Sequence, residues 1–334
     1  MRKILTIVVP SYNTEKFILK NIPFLLDKDI NQYIEVLIIN DGSTDRTEEY
    51  AQLLVSEYPD TIRLINKENG GHGSAINVGI MAAKGKYFKV VDGDDYVDGD
   101  DYKALILKLM QIDSDCVLSR FNTVSEVTGE QVTFYPFSGN SNIKYNVEYP
   151  IEDVLQWTSF TIHSITYKTS ILKDNYDEVK VLEEVFYEDM EYDTYPVIFL
   201  KTIYYFDGNV YRYVIDQATQ SMAAESRRKR ISHSERGTLA MIEHYNKWNS
   251  EISGVKEEYV KKMIFQRVRG IYSTYLSFST NKKLHCEQLV SFDKSLKIAS
   301  QVLYDYAETN SKLILAMRKT NYLLYGLLTR INKQ

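Results

Sequence analysis

The chain has 334 residues, of which 44% are hydrophobic and 25% are charged, and its formal net charge is −5. These values are typical of a globular protein with a large core and about two domains, and the acidic balance argues against a general nucleic-acid binder, which usually carries a basic excess. The two cysteines, Cys116 and Cys286, stand far apart and in no ligand spacing, so neither a zinc site nor a disulfide framework is indicated and a reducing cytoplasm fits.

The N-terminal end of the chain carries no signal for export. Its apolar run covers only residues 4–10, which is shorter than the hydrophobic region of a signal peptide. No stretch of 18 apolar residues occurs in the sequence, so we expect no transmembrane helix. We therefore predict a cytoplasmic protein, and we leave open a peripheral contact with the inner face of the cell membrane.

Residues 4–91 alternate between short apolar runs and amphipathic stretches. The runs 4–9, 34–40, 62–65 and 87–91 are rich in β-branched residues, which is typical of strands buried on both faces. Between them we predict helices, one of which spans 74–83 and one of which is capped by Ser43 or Thr44. This order predicts an α/β, Rossmann-like fold, in which a mostly parallel sheet is sandwiched by helices.

Polar residues follow three of these predicted strands. In open parallel sheets, ligands bind beyond the carboxyl ends of the strands. We therefore predict a ligand site where the three polar clusters meet, and the clusters are Pro10-Ser11-Tyr12-Asn13, Asp41-Gly42-Ser43 and Asp92-Gly93-Asp94-Asp95.

The pattern changes twice along the rest of the chain. Residues 116–213 are mixed, with strand-like pieces such as 131–137 and 203–213, and we expect them to complete the first domain. Beyond about Ser221 the pattern is helical. We predict a catalytic domain over residues 1–220 and a helical C-terminal region over 221–334 that serves acceptor, membrane-surface or oligomer contacts.

The helical region contains two basic features. Residues 227–230 form a run of arginine and lysine, which either faces solvent or supplies cations for a diphosphate or an anionic lipid. Between residues 313 and 333, leucines alternate with basic residues such as Arg318 and Lys319. A basic amphipathic helix can lie on a membrane, and the alternative is a helix packed on its own domain or on a second subunit.

The acidic cluster at 92–95 requires an explanation, because unpaired like charges repel one another. A divalent cation provides one, since carboxylate oxygens are the ligands that Mg²⁺ and Mn²⁺ prefer. The alternative is a solvated acidic turn. The acidic cluster alone does not decide between the two.

The acidic cluster belongs to the last of four motifs that occur in a fixed order. With these motifs the chain resembles the inverting glycosyltransferase family 2, over roughly residues 4–215. The resemblance implies a GT-A fold, a nucleotide diphosphate sugar as donor, most often a UDP-sugar, and a divalent cation, Mn²⁺ or Mg²⁺. One departure is Ile76, where many members carry arginine, and it leaves the donor sugar open. The motifs are Ile-Val-Val-Pro-Ser-Tyr-Asn at 7–13, Asn-Asp-Gly-Ser-Thr-Asp at 40–45, Asn-Gly-Gly-His-Gly-Ser-Ala-Ile-Asn-Val-Gly at 69–79 and Val-Val-Asp-Gly-Asp-Asp at 90–95.

The resemblance also implies roles on the donor side. The residues implied to bind the nucleobase are Pro10, Ser11, Tyr12 and Asp41, and those that let the backbone approach the nucleotide are Gly70, Gly71 and Gly73. Asp94 would bind the metal directly, Asp92 would contact the ribose or the metal, and Asp95 would assist with the donor sugar or the metal. The alternatives are a turn-forming role for Asp41 and an ordinary loop for the glycines.

On the acceptor side, the segment Phe-Tyr-Glu-Asp-Met at 186–190 resembles the Glu-Asp motif of the family. Asp189 would be the general base, with Glu188 as the second candidate or as a group that orients the acceptor. The alternative is a pair of acids favoured by a helix N-terminus. His163 and Trp157 are candidates for acceptor contacts, although a core role fits each of them as well.

These observations together predict an inverting glycosyltransferase that moves one hexose or N-acetylhexosamine to an acceptor hydroxyl. Family habits point to bacterial surface polysaccharide or glycoconjugate synthesis, with a glycan or lipid-linked acceptor and no nucleic acid, and we leave a homo-oligomer open. The Gln-x-x-Arg-Trp motif of processive synthases is absent, so we expect single-sugar transfer. Two alternatives are a non-catalytic nucleotide-sugar-binding module and a metal-dependent sugar nucleotidyltransferase. A loop over the diphosphate is also expected near Gln217 and Ser221.

Overall fold

The computed structural model describes residues 3–216, 224–248, 250–278 and 280–331. The chain forms two compact units, of which the first is drawn from Met1–Glu184 and Glu188–Ala218. The second unit is drawn from Val185–Tyr187 and Thr219–Gln334. The predicted site residues at 217 and 221 lie outside the described residues.

The N-terminal half of the first unit alternates strands and helices as the apolar periodicity predicts. The strands and helices, in chain order, are β1 (Leu5–Ser11), α1 (Ile18–Asn21), β2 (Ile34–Asp41), α2 (Thr47–Glu57), β3 (Ile62–Lys67), α3 (His72–Ala82) and β4 (Tyr87–Val90). Every residue of β1, β2 and β4 is buried, as expected of strands with helices on both faces of the sheet.

The start of α2 differs from the prediction. Ser43 does not cap this helix, because its hydroxyl accepts from the backbone N–H of Asn13 at 3.0 Å. The helix begins later, at Thr47, whose N–H donates to the carboxylate of Asp45 at 2.9 Å. An aspartate two residues before the helix therefore takes the role expected of the hydroxyl.

The rest of the first unit adds shorter strands and helices to the same sheet. They are β5 (Tyr96–Val97), α4 (Gly99–Leu109), β6 (Cys116–Ser125), β7 (Gln131–Phe134), β8 (Val147–Pro150), α5 (Ile151–Val154), β9 (Ile165–Lys168), α6 (Thr169–Asp174), α7 (Tyr176–Val179), α8 (Asp189–Thr194) and β10 (Thr202–Ile215). The mixed pattern after Cys116 thus completes the sheet, as predicted.

The strand order is β3-β2-β1-β4-β9-β6-β10-β5, with β7 paired to β6 and β8 to β10. Four pairings are parallel: β1 with β2, β1 with β4, β2 with β3, and β6 with β10. They include the three longest pairings of the sheet. The inserted strand β9 is antiparallel to both of its neighbours. This arrangement confirms the predicted mostly parallel α/β sheet.

The register of the parallel strands determines where the polar clusters meet. Ser11 of β1 lies opposite Asn40 of β2, and the N–H of Val91 donates to the carbonyl of Val8 at 2.9 Å. The segments that follow β1, β2 and β4 therefore leave the sheet side by side. This side of the sheet is called the carboxyl edge below.

The second unit is helical, as predicted. Its helices are α9 (Ala224–Lys229), α10 (Ile231–Trp248), α11 (Gly254–Leu276), α12 (Lys282–Ala299), α13 (Gln301–Asn310), α14 (Lys312–Lys319) and α15 (Tyr325–Ile331). Of the two alternatives for the stretch 313–333, the burial of Arg318 against Asp293 favours a helix that packs on its own unit. Leu323 and Leu327 do remain exposed, at 85% and 55%.

None of the helices in the described ranges combines the length and the apolar character that crossing a bilayer demands.

Candidate active site

The acidic turn at 92–95 lies at the carboxyl edge, between β4 and β5. Gly93 allows the turn to approach the end of β1, since a Cβ at this position would lie 3.2 Å from the carbonyl oxygen of Pro10. Ser11 is buried beside it, whereas Tyr12 is 52% exposed. The structure thus brings Pro10 and Ser11 next to the acidic turn and leaves the ring of Tyr12 in solvent.

Asp41 ends β2 and organises the glycine-rich loop. Its Oδ1 accepts from Lys67 Nζ at 2.6 Å and from the N–H of Gly70 at 3.0 Å, and its Oδ2 accepts from the N–H of Gly71 at 2.8 Å. A carboxylate has about four lone-pair sites, so one site on Oδ2 remains available for a further donor. Asp41 therefore has a structural role in this loop, and binding of a nucleobase by Asp41 stays a prediction.

His72 joins the acidic turn to the segment before α8. Its Nε2 lies 2.8 Å from Asp92 Oδ1, and its Nδ1 lies 2.7 Å from Glu188 Oε1. Burial disfavours the charged ring, but the two carboxylates outweigh burial and raise the pKa of His72 well above its usual value. In turn, although burial acts against ionisation, His72 holds the pKa of Asp92 below its usual value.

Asp95 is held by two hydrogen bonds from β10. The hydroxyl of Tyr211 donates to Asp95 Oδ2 at 2.7 Å, and the N–H of Val214 donates to Asp95 Oδ1 at 2.8 Å. The same hydroxyl accepts from the N–H of Asp92 at 3.1 Å. Burial and the neighbouring carboxylates of Asp92 and Asp94 raise the pKa of Asp95 well above its usual value.

His163 reaches the acidic turn from the segment before β9. Its ring stacks on Tyr213 at 4.4 Å between centroids and packs edge-on against Tyr211 at 4.9 Å. Burial lowers the pKa of His163 to about 4, so the imidazole is neutral near pH 7. Lys89 Nζ donates to the backbone carbonyls of His163 and Ile165, at 2.8 and 3.1 Å, and so holds this segment in place.

The acidic turn has the chemistry of a divalent-cation site. One ligand atom each of Asp92, Asp95 and His163 lies within 4.8 Å of the others, and a neutral imidazole can donate its lone pair. Burial, and then the charge of Asp92, raise the pKa of Asp94 to about 6. The sequence named Asp94 and Asp92 as ligands, with Asp95 as a helper. The atoms that converge in the structure belong to Asp92, Asp95 and His163, so the role of Asp94 as a direct ligand stays a prediction.

Tyr213 connects this site to the candidate base. Burial, and then the charges of Asp95, Asp92, Asp94 and Asp189, raise the pKa of Tyr213 to about 12. All four carboxylates therefore lie within electrostatic range of one tyrosine, although Asp189 is far from the others in sequence.

The Glu-Asp motif itself begins α8, as the prediction required, with Asp189 as the first helical residue. Glu188 precedes it, is only 4% exposed, and faces His72. The two acids thus lie in different surroundings: Glu188 is held within the protein, and Asp189 is only partly buried.

Trp157, a candidate for acceptor contacts, and Gly73, a candidate for close approach of the nucleotide, both have protein neighbours in the structure. Trp157 lies beside Gly139: a Cβ placed on Gly139 would be 3.7 Å from Cδ1 of Trp157. Among the described residues, no contact joins Trp157 to the acidic turn. Gly73 faces the protein: a Cβ there would lie 2.6 Å from the carbonyl oxygen of Leu182 and 3.0 Å from Cγ of Glu188. The bare face of Gly73 is filled by the segment before α8.

Sequence reasoning missed four residues of this site: His72, Lys89, Tyr211 and Tyr213. Two signals were present. Tyr211 and Tyr213 are two residues apart on a strand and therefore face the same side of the sheet. Lys89 interrupts an apolar run that reads as a strand buried on both faces, and a buried lysine needs polar partners.

Sequence comparisons find a family and relatives for this chain. A sequence model described as Glycosyl transferase family 2 matches residues 6–175. The glycosyltransferase GlyG of Streptococcus pneumoniae serotype 4 is 33% identical over 130 residues, which cover 39% of this chain and 42% of GlyG. The uncharacterized glycosyltransferase EpsJ of Bacillus subtilis is 40% identical over 117 residues, covering 35% of this chain and 33% of EpsJ. The chain thus spans less than half the length of these two relatives.

Solved structures support the fold. TarS 1-349 of Staphylococcus aureus in complex with UDP-GlcNAc superposes with a TM-score of 0.68 at 19% identity, covering 99% of this chain and 92% of that one. Its complex with UDP gives a TM-score of 0.67 over similar lengths. At this identity the likeness extends to the fold, and it confirms the GT-A-like architecture.

Proposed function

The chain belongs to glycosyl transferase family 2, and from this premise we propose that it transfers one sugar from a nucleotide diphosphate sugar to an acceptor hydroxyl, with inversion at the anomeric carbon. The observation that carries the proposal is that the acidic turn and the start of α8 are linked through His72, which contacts Asp92 at 2.8 Å and Glu188, next to Asp189, at 2.7 Å. The charges of the turn and of Asp189 also act together on Tyr213. An inverting transfer needs two functions on opposite sides of the sugar: a group that receives the leaving diphosphate and a base that receives the hydroxyl proton. The acidic turn and α8 carry residue types that suit these functions.

On the donor side, Pro10, Ser11, Tyr12 and Asp41 would bind the nucleobase. Asp41 supports this role because Oδ2 keeps a lone-pair site while the loop glycines hold the carboxylate rigidly. The exposed ring of Tyr12 offers a face on which a base can stack. The nucleotide is expected to be UDP, since TarS, which shares the fold, binds UDP-GlcNAc and UDP.

We assign a Mn²⁺ or Mg²⁺ ion to the acidic turn. Asp92, Asp95 and His163 offer ligand atoms that converge on one position. Asp94, on the same turn, would be the further direct ligand that the family resemblance implies. Such an ion supplies positive charge to the diphosphate as the bond to the sugar breaks. The protein's own contribution is to keep these side chains oriented: Tyr211 fixes Asp95, and Lys89 fixes the backbone that carries His163.

Asp189 would accept the proton of the acceptor hydroxyl. Glu188 is less suited to this role, because it is buried and its Oε1 already faces His72. A partly exposed carboxylate at a helix start can meet an incoming hydroxyl and return its proton to water afterwards. Glu188 would instead orient the segment from which Asp189 projects.

The acceptor is expected to be a glycan or a lipid-linked saccharide of a bacterial surface polysaccharide or glycoconjugate. We place the reaction in the cytoplasm, with peripheral membrane contact or a homo-oligomer formed through the helical unit. The exposed side chains of Leu323 and Leu327 support such a contact.

Calorimetric titration with UDP, GDP, CDP and dTDP, with and without Mn²⁺, tests the donor assignment. We expect one nucleotide to bind, to need Mn²⁺, and to lose affinity in Asp94→Ala. The matched control is Asp100→Ala, an exposed acid in the first turn of α4. Metal-independent binding that survives in Asp94→Ala contradicts the metal assignment, and no binding of any nucleotide contradicts the proposed transferase.

A further inference from the structure

His72 lies where the donor and acceptor sides of the site meet. Its ring touches a carboxylate on each side, Asp92 at 2.8 Å and Glu188 at 2.7 Å, and His72 and Glu188 are 116 residues apart in the chain. A ring with a proton on each nitrogen donates to both carboxylates, whereas a neutral ring has only one N–H. The imidazole thus bridges, through its two ring nitrogens, two acids that would otherwise repel each other.

The first turn of α3 also contacts the segment that leads to α8. The N–H of Glu184 donates to the carbonyl of Gly70 at 2.8 Å. Gly73, next to the bridging histidine, lies so close to Leu182 and Glu188 that a side chain would not fit. Further along α3, Asn77 donates to the carbonyl of Val181 at 2.9 Å and accepts from its N–H at 3.0 Å. The segment is therefore packed on α3, with His72 at the end nearest to Asp189.

Glu188 transmits this contact to the candidate base. It is buried, it is the residue immediately before α8, and its backbone carbonyl accepts the first hydrogen bonds of that helix, from the N–H groups of Glu191 and Tyr192. A displacement of Glu188 therefore moves the start of α8, and Asp189 with it. Errors of about 1 Å in the position of a catalytic group can cost about 100-fold in rate.

We propose that His72 is a positioning residue, which holds the segment before α8 in register with Asp92 and so aligns Asp189 with the donor. This inference rests on the proposed function for the role of Asp189, but the bridge itself can be tested without any substrate. Glutamine is an informative replacement, because its amide can donate to one carboxylate and presents an oxygen to the other.

The matched control is Met81→Gln, which introduces the same side chain on the same helix at a position that is 55% exposed. Hydrogen–deuterium exchange of the peptide covering residues 181–191 is compared in wild type, His72→Gln and Met81→Gln. We expect the amides of this peptide to exchange at least about tenfold faster in His72→Gln alone, because the segment loses a contact that holds it closed. The amides of β1 and β2 should exchange at the wild-type rate, since each segment opens with its own free energy. Exchange in His72→Gln that equals the wild-type rate overturns the inference.

A kinetic measurement separates positioning from a merely structural role. The rate at which wild type and variant hydrolyse UDP-GlcNAc, UDP-glucose and GDP-mannose is measured with Mn²⁺, alongside the Kd of the matching nucleotide. We expect the rate to fall about 10- to 100-fold in His72→Gln while the Kd changes less than about threefold. Equal losses in rate and affinity overturn the positioning role. A wild type that hydrolyses none of the three sugars counts against the proposed transferase, and the exchange measurement still decides whether His72 holds the segment.

Discussion

Buried carboxylates occur both at the carboxyl edge of the first unit and in the interior of the helical unit. In the helical unit, Asp293 is 4% exposed and accepts from Tyr272 at 2.7 Å, from Tyr322 at 2.6 Å and from Arg318 at 2.7 and 3.0 Å. The guanidinium of Arg318 also lies over the ring of Tyr304, 3.4 Å from its centroid. This aspartate is compensated from all sides by its own protein.

The carboxyl edge is built differently. Within the described ranges, no lysine or arginine forms an ion pair with Asp92, Asp94 or Asp95, and the positive partner they have is the imidazole of His72. Burial, and then the charges of neighbouring carboxylates, raise the pKa values of Asp94 and Asp95. The difference teaches that one unit uses a buried acid for stability, whereas the other keeps acids under repulsion that a cation or a ligand can relieve.

Asp189→Asn has the largest expected effect and tests the catalytic role proposed for the acids of the first unit. We expect turnover to fall about 100- to 10,000-fold, because the amide cannot accept the hydroxyl proton. Nucleotide affinity and the melting temperature should stay near the wild-type values. The measurement is sugar transfer or donor hydrolysis, with Asp177→Asn, an exposed acid on α7, as control. Turnover above a tenth of the wild-type rate would assign the base to another group.

Arg318→Met tests the stabilising role of the buried ion pair in the helical unit. Removing the guanidinium leaves Asp293 buried with only tyrosine hydroxyls, and we expect a loss of about 3–5 kcal/mol in the free energy of unfolding. Urea unfolding followed by circular dichroism measures this loss. Lys319→Met, next to it on α14, is the control and should be nearly neutral. A loss below about 1 kcal/mol in Arg318→Met would mean that the pair is not the main compensation for Asp293.

Tyr211→Phe and Tyr272→Phe sharpen the contrast, because each removes one hydroxyl from a buried aspartate. Tyr211→Phe leaves Asp95 with one fewer donor and the N–H of Asp92 without its partner, so we expect a loss of about 1–3 kcal/mol together with weaker Mn²⁺ binding. Tyr272→Phe should cost a similar or smaller free energy and leave Mn²⁺ binding unchanged. Both quantities come from urea unfolding and calorimetry, and equal Mn²⁺ affinity in the two variants contradicts the assignment.

Asp94→Asn gives the smallest expected effect, a change in melting temperature. The direction of this change shows whether the charge of Asp94 is compensated within the fold. The pKa of Asp94 in the folded protein, about 6, lies above its unfolded value of 3.8, so the ionised side chain destabilises the fold at neutral pH. This penalty decreases as the pH falls through 6 and vanishes only below the unfolded pKa. In EDTA we expect Asp94→Asn to melt about 2 °C higher than wild type at pH 7.5 and by a smaller margin at pH 5.

Added Mn²⁺ should reverse this order at pH 7.5, since it stabilises only the protein that binds it. A variant that melts lower than wild type in EDTA would show that Asp94 is already compensated within the fold.

Much of the first unit was predictable because local patterns carry the information. Apolar β-branched runs bounded by turn residues located β1, β2, β3 and β4 to within a few residues. Since parallel strands end at the same edge, the meeting of Ser11, Asp41 and Asp92 followed from the order alone. The cap of α2 was mispredicted, because Ser43 and Asp45 are both suitable and only the packing of Asn13 chooses between them.

Sequence alone determined the family, the parallel core of the sheet and the position of the acidic turn after β4, because short motifs or a local period encode each of them. Tertiary structure decided how those acids are paired. The insertion of antiparallel β9 between β4 and β6 brings His163 to Asp92, and the register of β10 on β6 brings Tyr211 to Asp95. His72 meets Glu188 only because the segment before α8 packs on α3. Periodicity reports which side of an element is buried, but not which distant side chain it meets there.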